Sequence, residues 1–180
     1  MNLINIDEFP EDKSKKETLL NYIENQNLNI EFQYKSDFKN TKVLREFIET
    51  SFLIFNVKSI WKSRFILISD EINNNAIEYG SLDNEINKLT LNIEKIEDGI
   101  SINLEVVDTG NGKASKKSVD MYDLEEKKLE NGFDNHTGIR GRGLFQIIYK
   151  IVDELYFKDS ENGGLIVGVK KNLKKNIDLN

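Results

Sequence analysis

A strand-like segment that runs directly into an aspartate and two glycines constrains the fold of this chain more than any other feature. Residues 100–107 alternate between apolar and mostly polar side chains, which predicts a strand with one buried face. Asp108 comes next on that face, and Gly110 and Gly112 follow it. A buried carboxylate is costly unless donors pair with it. The pattern therefore predicts either a hydrogen-bonded hairpin turn or a site for a ring that carries hydrogen-bond donors.

A second glycine cluster opens a predicted helix later in the chain. Gly138, Gly141 and Gly143 precede apolar residues at helical spacing in the segment 144–152. The free backbone amides at the start of a helix and the positive end of its dipole form a site for anions. One pocket built from both clusters would hold a donor-rich ring and a phosphate chain. The alternative is a turn and a surface loop, because short glycine motifs often occur by chance.

The composition excludes several classes of protein and site. The chain of 180 residues has no cysteine and one histidine, which excludes disulfides, thiolate zinc sites, cysteine nucleophiles and two-histidine zinc motifs. The formal net charge is -6, which argues against direct binding to nucleic acid. The sequence shows no basic apolar leader and no run of about 20 apolar residues. We therefore expect a cytoplasmic protein with no membrane contact.

The helix predicted to end at Gly80 carries polar side chains beside an apolar stripe. Gly80 is a typical left-handed helix end. Glu71 and Asn75 are four residues apart and share one helix face at the edge of the stripe. They could cap a loop or bond each other; alternatively, Asn75 could ligate Mg²⁺ and Glu71 could act as a general base. We interpret Asn73 and Asn74 as solvated or turn-facing. The stripe consists of Trp61, Phe65, Ile68, Ile72, Ala76 and Tyr79.

Short segments of alternating apolar and polar residues predict further strands, which set the fold class. Because most of these strands bury only one face, we predict an α+β two-layer sandwich with helices on one face of a mixed, mostly antiparallel sheet. The Asp98-Gly99 pair predicts a hairpin turn, and Asn162-Gly163-Gly164 predicts another turn. The further predicted strands lie in the segments 28–35, 89–93, 155–157 and 165–169.

The chain divides into an N-terminal extension and a main domain that contains a long connection. Residues 1–27 carry a narrow apolar stripe after Pro10 and are predicted as a helical extension of the main domain, 28–180. The connection at about 113–140 is long and charged, and its middle predicts a solvated helix. Such connections often serve as lids or binding loops, and the alternative is a variable surface insertion. The tail from Lys171 to Asn180 is predicted to fray.

Taken together, the motifs resemble the nucleotide-binding boxes of a known family. Over about residues 28–171, three motifs occur in the order of the N, G1 and G2 boxes of the histidine-kinase-like (GHKL) ATPases. Within that superfamily the sequence is most similar to the bacterial anti-sigma factor serine/threonine kinases, because the third motif leads into an amphipathic helix. The three motifs are Glu71-x-x-x-Asn75-Ala76, Asp108-x-Gly110-x-Gly112 and Gly141-Arg142-Gly143-Leu144-Phe145.

The resemblance implies a role for each matched residue. Asp108 would accept the adenine amino group of ATP, and Gly110 and Gly112 would let the backbone pass close to the base. Asn75 would ligate the Mg²⁺ that bridges the phosphates, and Glu71 would activate the hydroxyl of a protein serine or threonine. The lid would close over ATP and exclude water. The implied contacts to the phosphate chain come from Arg140, Gly141, Arg142, Gly143 and Leu144.

The same resemblance implies a function in transcription regulation. The expected activity is transfer of the ATP γ-phosphate to a regulatory protein, and the expected partners are a sigma factor, an anti-sigma-factor antagonist, or both, together with a second copy of the chain. The first alternative is a regulatory binding module without kinase activity. The second is part of a histidine kinase, but His136, the sole histidine, lies in the predicted lid. A mechanical ATPase would need transducing domains.

The sequence departs from the family pattern at several positions. Leu165 follows Gly164 where the family usually has threonine, so a water-mediated contact near adenine is expected to be missing. Tyr79 occupies a position where histidine is common. Residues 1–27 are additional to the family core, and the lid is unusually long and charged.

Overall fold

A sheet and a layer of helices on one of its faces make up the fold. The computed structural model describes the backbone of residues 1–131 and 148–180, and the side chains of residues 1–126 and 148–180. The strands are β1 (Asn2–Asn5), β2 (Ile23–Glu24), β3 (Asn27–Lys35), β4 (Ile86–Ile96), β5 (Gly99–Val107), β6 (Glu154–Asp159) and β7 (Leu165–Lys174). The helices are α1 (Lys15–Leu20), α2 (Lys39–Ile54), α3 (Ser59–Asn75), α4 (Ser118–Asn131) and α5 (Lys175–Asp178), with a π-helical turn at Ala76–Gly80 and helical residues at 148–151.

The sheet is mixed and mostly antiparallel, as predicted. Within the described residues its order is β1-β3-β4-β5-β7-β6, with β2 also paired to β3. Only β1 and β3 run parallel; each other described strand pair is antiparallel. The predicted Asp98-Gly99 hairpin joins β4 to β5, and Gly163, with φ +93, lies in the turn between β6 and β7. The predicted α+β two-layer fold is therefore confirmed.

The core lies between the sheet and α2 with α3, and it follows the period-two alternation of the sequence. The predicted inward positions of β3, β4 and β5 are at most 6% exposed. Apolar burial of this kind is the main favourable term in folding. The inward side chains are Leu28, Ile30, Phe32 and Tyr34 on β3, Leu89, Leu91 and Ile93 on β4, and Ile100, Ile102, Leu104 and Val106 on β5.

The N-terminal segment contains more than the helix that the sequence predicts. β1 joins the sheet beside β3, and Ile4 on β1 is buried in the common core. α1 begins after Ser14, whose hydroxyl accepts a hydrogen bond from the backbone N–H of Glu17 (3.3 Å), so the helix starts later than Pro10. Leu19 of α1 is fully buried. The segment thus packs on the same sheet, while the domain boundary remains a prediction.

The end of α3 differs from the regular, glycine-capped helix that the sequence predicts. The last turn, Ala76–Gly80, is π-helical, so side chains beyond Asn75 shift in phase relative to an α-helix. Ile77 is buried, whereas Tyr79, predicted in the buried stripe, is half-buried. Gly80 does not have a positive φ, so the prediction of a left-handed cap was wrong. Its lack of a side chain instead permits a close contact with Asp108, described below.

The C-terminal tail is packed, which corrects the prediction that it frays from Lys171 to Asn180. β7 continues to Lys174, and Leu173 is fully buried opposite Ile100. The indole N–H of Trp61 donates a hydrogen bond to Asp178 Oδ1 (2.6 Å). The buried side chain of Leu173 and the carboxylate of Asp178 therefore hold the tail against the rest of the protein. Across the described ranges, no helix combines the length and apolar character needed to cross a membrane.

Candidate functional site

A cavity of about 320 Å³ lies where the ends of α3 and β5 meet β7 and the start of α4. Its size is within the usual range of small-molecule sites, and its walls are mainly apolar with a few polar groups, as is typical of such sites. The polar groups include Asn75, Asp108, Ser115 and Lys116. The apolar wall includes Ile72, Ala76, Val106, Met121, Leu124 and Val167.

Asp108 lies at the inner end of this cavity, and the backbone holds one of its carboxylate oxygens. Oδ1 accepts hydrogen bonds from the backbone N–H groups of Gly110 (2.9 Å) and Leu165 (2.8 Å). The N–H of Asp108 donates to the carbonyl of Leu165 (3.1 Å), which extends the pairing of β5 with β7. Among the described residues no donor reaches Oδ2, which lies against Gly80. That oxygen is available to a ligand.

Burial raises the pKa of the Asp108 carboxyl above its usual value. The hydrogen bonds from Leu165 and Gly110 and the positive charge of Lys117 act in the opposite direction, but burial has the larger effect. An ionised Asp108 therefore gains from each further donor placed at Oδ2. The amino group of an adenine base is such a donor.

Gly110 and Gly112 allow two close backbone contacts around the cavity. Gly110 has φ +75, and a Cβ there would lie 2.4 Å from the carbonyl oxygen of Gly163. A Cβ at Gly112 would lie 2.1 Å from the carbonyl oxygen of Tyr79. The loop that they form is thus pressed against both the β6–β7 turn and the π-helical turn. Their implied contact with the base remains a prediction.

Asn75 and Glu71 lie one helical turn apart on α3, but only Asn75 lines the cavity. Glu71 is partly exposed, and within the described residues no hydrogen bond joins it to Asn75. The alternative in which these two side chains bond each other is therefore not observed. Asn75 and Asp108 line one cavity, and Glu71 is not part of its wall.

Asn75 offers one amide oxygen to a metal ion. In the described part of the chain, no group of three or more His, Cys, Asp or Glu side chains could hold a metal. Mg²⁺ commonly takes one or two protein ligands and completes its shell with phosphate oxygens and water. The donor set fits a Mg²⁺ that arrives with a nucleotide.

The prediction that Asn73 is solvated was wrong, because it is fully buried against β3. Its Oδ1 accepts a hydrogen bond from the hydroxyl of Tyr34 (2.5 Å), whose pKa is raised well above its usual value by burial and then by the charge of Asp108. Asn87, opposite Tyr34 on β4, is also fully buried and accepts a hydrogen bond from Ser81 Oγ (2.5 Å). Both asparagines lie on the buried faces of their elements, so the spacing of the apolar residues in the sequence could have predicted their burial.

The first part of the predicted lid is docked on the sheet. α4 is the helix that the sequence predicts to be solvated, yet its Met121 is buried in a small cluster with Phe157 and Leu165. The hydroxyl of Tyr122 donates to the carbonyl of Phe157 (3.1 Å) and accepts from its N–H (3.2 Å). The N–H of Ser118 donates to Asp159 Oδ1 (2.8 Å). These contacts hold α4 over the cavity.

Leu165 and Tyr79, the two departures from the family pattern, both line the cavity. The backbone N–H of Leu165 binds Asp108, so this contact does not require a threonine side chain. The remaining predicted site residues lie outside the described residues, and their role in phosphate binding remains a prediction. They are Arg140, Gly141, Arg142, Gly143 and Leu144; the lid segment 132–140 with His136 also lies outside.

Sequence reasoning missed Ser81 and Glu85, which support the glycine loop. The backbone N–H of Thr109 donates to Ser81 Oγ (3.0 Å), and the Thr109 hydroxyl donates to Glu85. The available signal was the run of polar, turn-forming residues between Gly80 and β4.

Comparison with protein families identifies the chain. No curated protein gives a significant match to the sequence. Residues 41–171, well over half of the chain, match the family described as the histidine kinase-like ATPase domain. The match includes α3, β5 with its glycine loop, α4 and most of β7, and therefore the whole described wall of the cavity. The chain belongs to the histidine kinase-like ATPase family and carries that family's ATP-binding domain.

Proposed function

We propose that this protein is an ATP-dependent serine/threonine kinase of the anti-sigma-factor type, which phosphorylates a regulatory protein. One observation carries the proposal: Asp108 and Asn75 line the same cavity, and Glu71 lies one turn from Asn75 on the same helix. The first two residues suit the base and the metal of a bound nucleotide. The third is a carboxylate one helical turn from Asn75, the proposed metal ligand.

The chemistry assigned to these residues is mainly positioning. Bound Mg²⁺-ATP supplies the phosphoryl group and a metal charge that neutralises the transferred oxygens. Oδ2 of Asp108 would accept a hydrogen bond from the amino group of the base, and the apolar wall would exclude water around the ring. Asn75 would give its amide oxygen to the metal. Glu71 would accept the proton of the substrate hydroxyl. The hydroxyl oxygen of the substrate would bond to the γ-phosphorus, and the bond from that phosphorus to the β–γ bridging oxygen would break and release ADP.

The proposed protein partners follow from the family resemblance. A kinase of this type would bind an anti-sigma-factor antagonist as its substrate and a sigma factor as a second partner, and it would act as a homodimer. The charge of -6 fits regulation through proteins rather than through direct contact with DNA.

The first test measures binding of Mg²⁺-ATP by thermal unfolding. Nucleotide at a hundredfold its dissociation constant should stabilise the protein by about 2.7 kcal/mol. For a domain of this size, the midpoint should rise by roughly 5–10 °C. Asp108→Asn should lose most of this shift. An unchanged shift in that variant would contradict the assignment of Asp108.

The second test measures transfer of labelled phosphate from ATP to candidate antagonist proteins encoded nearby. Glu71→Gln should abolish transfer and retain the thermal shift with ATP. Glu94→Gln, which neutralises an exposed carboxylate toward the far end of β4, is the matched control and should transfer normally. Transfer that survives Glu71→Gln would refute Glu71 as the general base.

A second candidate function is a regulatory module that binds ATP without transferring phosphate. The position of Glu71 outside the wall of the cavity favours this alternative. It predicts a thermal shift with ATP, no transfer to any candidate partner, and no effect of Glu71→Gln. Those three results together would replace the kinase proposal.

A further inference from the structure

Glu85 is the acidic side chain that binds the glycine loop after Asp108. It ends the segment between the π-helical turn and β4, and its backbone carbonyl accepts a hydrogen bond from Ser36 N–H (2.7 Å). Its Oε1 accepts a hydrogen bond from the side-chain amide of Asn111 (2.8 Å). Its Oε2 accepts from the hydroxyl of Thr109 and from the backbone N–H of Leu82 (2.9 Å).

The same segment and the π-helical turn make further contacts with this loop. Ser81 Oγ accepts from the N–H of Thr109 (3.0 Å), and the carbonyl of Gly80 accepts from the N–H of Gly112 (3.1 Å). The carbonyl of Tyr79 accepts from the N–H of Ala114 (3.3 Å). Among these described groups that accept hydrogen bonds from the loop, Glu85 is the charged one. Hydrogen bonds to a charged acceptor are stronger than those between neutral groups.

The donors around Glu85 favour its ionised form. The Thr109 hydroxyl has the largest effect and, with Leu82 N–H and the Asn111 amide, lowers the pKa of Glu85 below its usual value. Thr109 follows Asp108 directly, and the N–H of Gly110 bonds Asp108 Oδ1 (2.9 Å). Glu85 thus contacts Thr109 and Asn111, the two residues that flank Gly110. Loss of these contacts would therefore disturb the hydrogen bond from Gly110 N–H to Asp108.

We propose that Glu85 is a positioning residue for nucleotide binding, which holds the loop from Thr109 to Gly112 in the conformation that orients Asp108. Glu85 does not line the cavity and acts through Thr109 and Asn111. The inference rests on the proposed binding of ATP at Asp108, and not on transfer of phosphate to a partner.

The experiment compares Glu85→Gln with Asp153→Asn in the full chain. Asp153 is a matched control because it also accepts a backbone N–H, that of Asn172 (2.8 Å), and also has a lowered pKa. It lies at the opposite end of β7 from Leu165. Isothermal titration with Mg²⁺-ATP should give a dissociation constant about tenfold higher for Glu85→Gln and an unchanged constant for Asp153→Asn.

Hydrogen exchange gives a readout that does not depend on nucleotide. Glu85→Gln should accelerate amide exchange at Thr109–Gly112 in the free protein, whereas Asp153→Asn should not. Thr109→Val, which removes the hydroxyl donor, should weaken ATP binding when it is the single substitution. It should have little further effect when it is added to Glu85→Gln. Such coupling in affinity is expected from a shared positioning contact, and independent structural effects would add.

The possible failures are distinguishable. If the unchanged protein does not bind Mg²⁺-ATP, the proposed function fails and this inference fails with it. If the unchanged protein binds and Glu85→Gln binds equally well, only the positioning role of Glu85 is overturned. Equal loss of affinity in Glu85→Gln and Asp153→Asn would also overturn it, because the effect would then follow general destabilisation.

Discussion

The carboxylate of Asp108 packs directly against Gly80: a Cβ at Gly80 would lie 2.1 Å from Oδ2 and 2.5 Å from the carboxyl carbon. The contact joins the end of β5 to the π-helical turn after α3, and these two elements form the inner end of the cavity. A glycine at this position is therefore required by the position of the carboxylate.

Gly80→Ala should force the Asp108 side chain out of its position. We expect a loss of stability of about 1–3 kcal/mol, as for other over-packed sites, and ATP affinity at least about tenfold weaker. Urea unfolding and titration with Mg²⁺-ATP measure the two effects. Gly163→Ala is the control, because nothing lies within 4 Å of its added Cβ and only the strain of φ +93 opposes it. Normal ATP affinity in Gly80→Ala would contradict the prediction.

Asp108 should titrate above 3.8, the usual value of an aspartate, because burial raises its pKa. Asp159 should titrate below 3.8, because the N–H of Ser118 stabilises its charge. Carboxyl ¹³C NMR over a pH series measures both values in one sample. The opposite order of the two values would refute the electrostatic description of the cavity.

The two shifts have opposite consequences for stability. Because folding raises the pKa of Asp108, the folded protein binds the extra proton between 3.8 and the raised value, and the stability from this proton is lost as the pH rises through that window. The stability from Asp159 is present above 3.8 and is lost as the pH falls through its lowered pKa. In the proposed function adenine binds the ionised carboxylate of Asp108, so the affinity for ATP should fall on acidification.

Tyr122→Phe should loosen α4 from the edge strand β6. The hydroxyl of Tyr122 satisfies both backbone groups of Phe157, while the two rings pack edge to face at 5.3 Å. Loss of the hydroxyl should cost about 1 kcal/mol and accelerate amide exchange in α4. Tyr22→Phe is the control, because the half-buried Tyr22 has no hydroxyl partner in the described ranges. Equal exchange in both variants would argue against this anchor.

Tyr34→Phe should destabilise the protein by about 1–3 kcal/mol, because it leaves the buried Asn73 without its donor. The Nδ2 of Asn73 has no partner among the described groups, so the amide would then lack hydrogen bonds on both sides. Asn73→Leu in the Tyr34→Phe background should recover part of the loss, since an apolar pair needs no hydrogen bond. Urea unfolding of Tyr34→Phe, Asn73→Leu and the double variant measures this; losses that add in the double variant would contradict the coupling.

Removal of residues 178–180 should shift the fluorescence of Trp61, the sole tryptophan. The indole N–H would lose its bond to Asp178, and Lys58 N–H would lose the Asp178 carbonyl (3.0 Å). We expect a red-shifted emission maximum and a lower unfolding midpoint. An unchanged spectrum and midpoint would mean that the tail is frayed in solution.

Patterns between near neighbours in the sequence predicted much of the fold. The alternation in residues 100–107 identified the inward face of β5 and placed Asp108 on it, and the structure has both. The prediction that the tail frays was wrong, because Leu173 continues the buried face of β7. The alternation of buried and exposed positions continues to Leu173 in β7 and includes the polar Asn87 in β4.

The sequence by itself determined which faces of the strands are buried, where the main turns lie and which motifs mark an ATP-binding family, because these features depend on residues close together in the chain. The tertiary structure alone decided the contacts that build the site. Tyr34 and Asn73 are 39 residues apart, and Thr109 and Glu85 are 24 apart. Their contacts depend on the register of the sheet and on the π-helical turn after α3, which no local pattern specifies. The same holds for Gly80, whose sequence context indicated a helix cap and whose structural role is contact with Asp108.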